Sequence, residues 1–276
     1  VSTVSGVVFS RSRASQLHLL LTSLATNAPS LLDKVTVIWK ASDQKHLAAY
    51  HLCEDEHPEV LFQRETDFRK QVERALAASG RHTAFFCDDD ICWRYQTELV
   101  APGNFLSTYP EVLTVSLRLG LKHDECYPLR CAQRLPKFMW RSGLYAFSWA
   151  TADKDFAYPG SLDGNIWRSH QLRALIHGGA WNSPNSLEEW LNAQASRSSL
   201  SLMGCYKKSL LLGNPINVVQ NTHPNRHGET HGALAEVLND RYLAGERLRV
   251  EDLKFPVVRA AHVEVDLLST AKKEAA

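Results

Sequence analysis

Thr83-Ala84-Phe85-Phe86-Cys87-Asp88-Asp89-Asp90-Ile91-Cys92-Trp93-Arg94 is the stretch on which the reading of this chain turns. Residues 83–86 are apolar or β-branched, three carboxylates follow Cys87, and Ile91, Cys92 and Trp93 return at once to apolar character. A short run bounded in this way reads as a buried strand. Three aspartates at its C-terminal end stand at the mouth of a sheet, where open α/β sheets bind ligands. Adjacent anions repel one another, so a cation is expected to neutralise them. A hard divalent ion such as Mg²⁺ or Mn²⁺ suits carboxylate oxygens. Strand alternation points Asp88 and Asp90 to one side and Asp89 to the other, which leaves one pair to share a metal and the phosphates it holds. The plainer alternative is a solvated acidic turn.

Upstream of this stretch, residues 4–10 are a strand candidate that ends in Ser10-Arg11-Ser12-Arg13, and Leu17, Leu20, Leu21 and Leu24 follow at helical spacing up to Pro29. Strand, basic loop and helix open a nucleotide-binding α/β unit. Arg11 and Arg13 are suited to hold a diphosphate by charge-assisted bonds, or they solvate a loop. Residues 35–39 are a second strand ending in Lys40-Ala41-Ser42, residues 46–50 a helix, and residues 60–62 a short strand. A helix capped by Thr66 or Asp67 then runs through Leu76 to Gly80. The order β-α-β-α-β-α-β predicts a sheet with helices on its faces.

Downstream, residues 112–118 read as a strand and 120–136 as a loop. Residues 138–149 carry Phe138, Trp140, Tyr145, Phe147 and Trp149, which are either a core strand pair or, if exposed, sugar-stacking faces of an acceptor groove. Ser161-Leu162-Asp163-Gly164 sets a carboxylate in a bend whose glycine allows close approach of a ligand. A strand over 166–168 and a helix over 171–176 come next. Ser186 and Glu189 have capping-box spacing, and Glu188 lies in the first turn of that helix. A strand over 216–220 ends in Asn221-Thr222-His223-Pro224-Asn225-Arg226-His227, dense in metal- and phosphate-binding groups or simply a polar loop. Residues 233–243 form a helix, and the remainder is expected to fray.

The whole chain sets the bounds. With 276 residues, 44% apolar and 22% charged, it has the composition of a globular protein with a large core. A net charge of +1 argues against a broad nucleic-acid surface. No run of eighteen apolar residues predicts a transmembrane helix, and no signal peptide is visible. The six cysteines form no C-x-x-C pair and suit reduced, buried thiols, so a cytoplasmic location is expected.

These segments together resemble the GT-A fold nucleotide-sugar glycosyltransferases, closest to a bacterial group with an S-R-x-R opening and a D-D-D motif. The similar segments are SRSR, VIWKAS, FFCDDDI, SLRLG, YPGSLDGNIWR, NSPNSLE and NVVQN, spread over residues 4–245. The resemblance implies an α/β GT-A (Rossmann-like) mixed sheet flanked by helices, in a domain over 1–245. Its halves are a nucleotide-sugar-binding part (1–95) and an acceptor and catalytic part (96–245), followed by a C-terminal extension (246–276). It implies a hexosyltransferase-like enzyme moving a sugar from a nucleotide-diphosphate sugar to the hydroxyl of a glycan, lipid-linked or small-molecule acceptor, by single displacement with inversion. Under that resemblance Asp88 and Asp90 hold Mn²⁺ or Mg²⁺, with His223 as a further metal contact and Arg226 on phosphate. Asp89 touches the sugar or ribose. Ser10, Arg11 and Arg13 border the nucleotide, and Lys40, Ser42 and Asp67 line the base and ribose pocket. Glu188 is the base, with Asp163 as its rival. The alternatives are a nucleotidyltransferase making nucleotide-activated sugars, disfavoured because the loop after the first strand lacks the glycines that cradle a triphosphate, and a non-catalytic nucleotide-sugar-binding module. A haloacid-type phosphatase is disfavoured because Phe9-Ser10 offers no nucleophilic Asp.

Overall fold

The computed structural model describes residues 4–95, 101–215, 228, 235–269 and 272–273. Strand β1 (Val4–Arg11) is buried at every position but its last, as a strand covered on both faces must be. Helix α1 (Ala14–Asn27) turns Leu17, Leu20, Leu21 and Leu24 onto the sheet. Next come β2 (Lys34–Lys40), α2 (Gln44–Glu56), β3 (Leu61–Arg64), α3 (Phe68–Ala77) and β4 (His82–Cys87). Asp43 and Asp67 cap α2 and α3 by accepting the His46 and Lys70 amides. The predicted alternation of strand and helix is therefore present. β1 pairs in parallel with both β2 and β4, and β2 with β3. The strand order reverses at β1, and the crevice at that reversal opens at the C-terminal ends of β1 and β4.

β4 stops at Cys87, before the carboxylates. Asp88 and Asp89 form a turn, and β5 (Asp90–Cys92) belongs to another sheet. The alternation expected of a strand therefore does not govern where the three aspartates point. Helix α4 (Pro102–Thr108) and β6 (Val112–Ser116) follow. Within the predicted loop over 120–136 the chain forms a hairpin, β7 (Glu125–Cys126) with β8 (Cys131–Ala132), in which the two cysteines stand opposite one another. β9 (Met139–Arg141), β10 (Leu144–Ser148), β11 (Asn165–Arg168), α5 (Ser169–Ile176), α6 (Pro184–Ala195), β12 (Leu202–Cys205), β13 (Leu211–Gly213) and α7 (Ala235–Leu243) complete the elements used below.

Nine strands make one mixed sheet in the order β3-β2-β1-β4-β11-β6-β12-β10-β9, with β11 antiparallel to both its neighbours. Helices α1, α2 and α4 cover one face with α7 beyond them, and α3, α5 and α6 cover the other. Most of the aromatics of 138–149 belong to the core: Phe147 and Trp149 are buried and Phe138 packs on Phe147 and Phe156, while Trp140 is exposed on edge strand β9. That segment is a strand pair and not an aromatic groove.

Over residues 246–269 the C-terminal part does not fray as expected, while 270–271 and 274–276 lie outside the described residues. Leu248, Val250, Leu253, Val265 and Leu267 pack with Leu19, Ile91, Leu212 and Leu238 in a third core cluster. β13 lies between β5 and residues 261–263, bonded on the latter side through Gly213 N–H to Ala261 and Val263 N–H to Gly213. No helix among the described residues is long and apolar enough to cross a membrane. The six cysteines are unpaired thiols. The expected strand over 216–220, His223 and Arg226 lie outside the described residues.

Candidate active site

Four pieces of chain meet at the C-terminal ends of β1 and β4: the loop after β1, the 88–90 turn, the 161–164 bend, and the first half of α6. Asp88 is committed to the first of these. One of its oxygens accepts from Ser10 Oγ at 2.9 Å and the Arg11 amide at 3.0 Å, and the other from the Arg13 guanidinium at 3.0 Å. Arg13 also reaches Asp89 at 3.5 Å. Burial works against the Arg13 charge, but Asp88 and Asp89 more than offset it and raise its pKa. Arg11 is exposed.

Asp89 is partly exposed, whereas Asp90 is fully buried. Asp90 accepts from the Cys87 amide at 3.0 Å through Oδ2, and its Oδ1 has no partner. Burial raises the pKa of Asp89 to about 6, since the pull of Arg13 is countered by repulsion from Asp88 and Asp163. Burial, then Asp163 and Asp89, raise that of Asp90 well above the carboxylate range. Protonation answers the mutual repulsion in the absence of a cation, and a divalent ion reverses it.

Asp163 is set by the backbone of the next residue. Gly164 donates to Phe85 at the end of β4 and accepts from Leu117 just past β6, so the bend is stitched between two strands. Gly164 has φ +69°, and a Cβ there would meet Leu211 Cδ2 at 2.4 Å. The close approach that this glycine allows is therefore to Leu211, not to a ligand. Asp163 accepts from Arg118 at 2.6 Å and lies 3.3 Å from Ser161 Oγ. Burial alone would raise its pKa, but Arg118, then His262, hold it well below the usual carboxylate range. The buried Arg118 also donates to Ser161 at 2.9 Å and to His262 Nε2 at 2.9 Å.

Glu188 sits one and a half turns into α6, and its Oε1 accepts from the Leu162 amide at 3.2 Å. The capping box of this helix is made by Ser183 and Ser186, so Glu189 does not have the capping duty its spacing suggested. The helix dipole does not decide the charge of Glu188. Burial, then repulsion from Asp163, raise it to about 7 against the pull of Arg118. Of these two neighbouring carboxylates, Asp163 is thus held down by Arg118 and Glu188 is raised by burial.

The remaining predicted residues border the same mouth or stand apart from it. Ser42 bonds Ser12 at 3.0 Å and Lys40 pairs with Glu65 at 3.2 Å, at the ends of β2 and β3. Asp67 is engaged with the Lys70 amide and ammonium. Arg118, Ser161 and His262 escaped the sequence reading. Arg118 carried no signal beyond its segment, but the alternation of Ala261, Val263, Val265 and Leu267 marks an extended buried segment that carries His262. Gly213 is what lets His262 in, because a Cβ there would lie 2.6 Å from its ring.

As a cation site, the cluster offers an unpartnered buried oxygen on Asp90 beside the more accessible Asp89. Among the described residues no three His, Cys, Asp or Glu side chains converge to hold an ion unaided. An ion such as Mg²⁺ is usually bound by one or two carboxylates together with substrate phosphates, and Asp89 and Asp90 offer two carboxylates.

No protein-family model matches the sequence, and no curated protein matches it. Among solved structures the chain is similar to S. aureus TarS, with a TM-score of 0.48 and 16% identity, covering 76% of this chain and 36% of that one. It is similar to residues 1–349 of TarS in complex with UDP, with a TM-score of 0.47 and 16% identity over 76% and 59% of the two chains. It is also similar to the mannosyltransferase PcManGT from Pyrobaculum calidifontis in complex with GDP-Man and Mn²⁺, at 0.43 and 13%, over 74% and 54%. The chain therefore spans from 36% to 59% of the length of these structures.

Proposed function

We propose that this chain is a metal-dependent glycosyltransferase of the GT-A type, moving a sugar from a nucleotide-diphosphate donor to an acceptor hydroxyl with inversion. The observation that carries the reading is the pair of carboxylates at one strand-end mouth, Asp163 held ionised by Arg118 and Glu188 raised to about 7, beside an acidic turn with an unpartnered carboxylate oxygen.

Asp90 and Asp89 are the residues suited to hold Mn²⁺ or Mg²⁺, while Asp88, both of whose oxygens are occupied, fixes the β1 loop and Arg13. When bound, the ion offsets negative charge on the leaving diphosphate. Arg13 and Arg11 border that diphosphate and add charge-assisted bonds as it departs. Lys40 and Ser42, at the end of β2, are assigned to the nucleotide side together with Asp67, which also caps α3. From the segment 221–227, which lies outside the described residues, His223 and Arg226 are assigned to the metal and phosphate on sequence alone.

Glu188 is the base. It takes the proton from the acceptor hydroxyl as oxygen attacks the anomeric carbon and the carbon–oxygen bond to the diphosphate breaks. A pKa close to neutrality suits it to accept a proton at working pH. Asp163, tied to Arg118 and Ser161, keeps its charge and orients the acceptor side.

The test is a panel of UDP-, GDP-, CMP- and dTDP-sugars, scored by thermal shift with and without Mn²⁺ and by release of free nucleotide. Metal-requiring stabilisation by one donor class, with slow nucleotide release, is the expected result. Stabilisation that ignores the metal and never yields free nucleotide would leave a binding module and sink the reading.

A further inference from the structure

A cavity lies beside the carboxylate mouth. It is an open groove of about 1140 Å³ between the β7–β8 hairpin and the C-terminal segment 254–269, and His262 is among its lining residues. The same His262 accepts from Arg118 and stands 3.6 Å from Asp163. The groove therefore begins where the carboxylate cluster ends. Its two walls are fastened to each other: Glu125 N–H donates to Arg259 O, Tyr127 donates to Glu264, and Arg259 forks onto Asp124 at 2.8 and 2.6 Å.

The lining selects a kind of occupant. Four carboxylates, Asp124, Glu125, Glu264 and Asp266, face three cations, Arg130, Lys254 and Arg259. Arg259 is already committed to Asp124 and Glu125. An anionic ligand would meet a lining with one more carboxylate than cation, and a lipid chain would meet seven charged side chains set among the apolar ones. Tyr127 and Phe255 add partly exposed aromatic rings, one on each wall. Carboxylates that accept and cations that donate, with flat apolar faces between them, match a molecule rich in hydroxyls and C–H faces.

We infer that this groove binds the acceptor, and that the acceptor is a neutral oligosaccharide whose terminal hydroxyl reaches the carboxylate mouth past His262. The inference rests on the proposed glycosyltransferase reading for what happens at that hydroxyl, but not for the binding itself.

The experiment separates the two. Calorimetry of the full chain with cellotriose, chitotriose and mannotriose, and with trigalacturonate as the anionic counterpart, reads the groove without any donor. At least one neutral trisaccharide is expected to bind, with trigalacturonate at least tenfold weaker. Ala132→Trp fills the groove from an exposed position of β8 and is expected to abolish that binding. Tyr127→Ala removes one ring and is expected to weaken it roughly tenfold. Donor hydrolysis to free nucleotide, measured in parallel, should stay at the wild-type level in both variants, whereas transfer to the trisaccharide should fall with its binding. Neutral trisaccharides that fail to bind, trigalacturonate binding as tightly as they do, or A132W transferring like wild type would each overturn the inference. If the trisaccharide binds and A132W abolishes it but no donor is ever hydrolysed, the groove stands as a glycan site and the transferase reading falls.

Discussion

Asp163 and Glu188 share one electrostatic field, so a substitution at either is felt at the other. A base works in its ionised form, and kcat/KM reports the free enzyme; it is expected to drop as pH falls through about 7, where Glu188 takes up a proton. Asp163→Asn removes the repulsion that adds to burial in lifting Glu188 and leaves the pull of Arg118 in place, so this acid limb moves to lower pH. Glu188→Gln should lower kcat by roughly 10²–10⁴ and leave donor affinity nearly unchanged. pH profiles of both variants decide: a dead Asp163→Asn beside an active Glu188→Gln would exchange the roles. The acidic triplet gives a second contrast. From sequence, losing any one of three repelling carboxylates looks harmless. In the fold, Asp88→Ala strands a buried guanidinium; the full cost of such a loss is about 3–5 kcal/mol, reduced here by the Asp89 contact at 3.5 Å. Asp90→Asn keeps an acceptor for the Cys87 amide and removes a buried acid, so it should cost nothing or stabilise the metal-free chain. Urea unfolding that shows equal losses for the two would refute their separate duties.

At the scale of elements, the bend before β11 holds its shape through Gly164. Its positive φ and the Leu211 methyl 2.4 Å from a virtual Cβ predict that Gly164→Ala destabilises by about 1–3 kcal/mol. Leu211→Ala in the same chain makes room without relieving the backbone, so it should return only part of that loss in a double-mutant cycle. Full recovery would show that crowding alone matters. Elements whose signal is local were legible: β1 to β4 and α1 to α3 follow from apolar runs, helical spacing and the Asp67 cap. β12 was not, because Leu202-Met203-Gly204-Cys205 has no β-branched residue. It is a strand because β6 and β10 flank it, and Gly204 is there because a Cβ would press on Phe105 at 3.0 Å. The α6 cap moved by three residues because two serines offered the same chemistry and the helix began at Pro184.

At the scale of the whole molecule, α1, α2 and α7 are joined by a polar cluster. His18 meets His57 at 3.1 Å and Glu56 at 3.1 Å, and Glu56 also receives Tyr242 and Arg247. Burial, then His57, lower His18 to about 4, and burial lowers His57 although Glu59 and Glu56 pull the other way. The unfolded chain binds these protons near 6.5 and the folded chain does not, so stability is full above about 6.5 and is lost as pH falls toward 4. For His18 the loss is about 3 kcal/mol. Glu56, lowered by Arg247 and Tyr242 in spite of burial, adds its own loss only from the ordinary carboxylate range downward. Urea midpoints across this window should slope in wild type and flatten in His18→Gln; equal slopes would assign the loss to carboxylates elsewhere. The sequence by itself determined the strand–helix alternation and the gathering of charge after β4, because both are written in neighbouring residues. The family resemblance, read from the same sequence, put forward Glu188 and Asp163 as rival carboxylates. Only the tertiary structure decided which aspartate is anchored to Arg13, that Arg118 holds Asp163 ionised while Glu188 rises, and that His262 comes from a segment expected to fray. Those outcomes depend on burial and on charges far apart in the chain, and neither periodicity nor spacing records a distance in space.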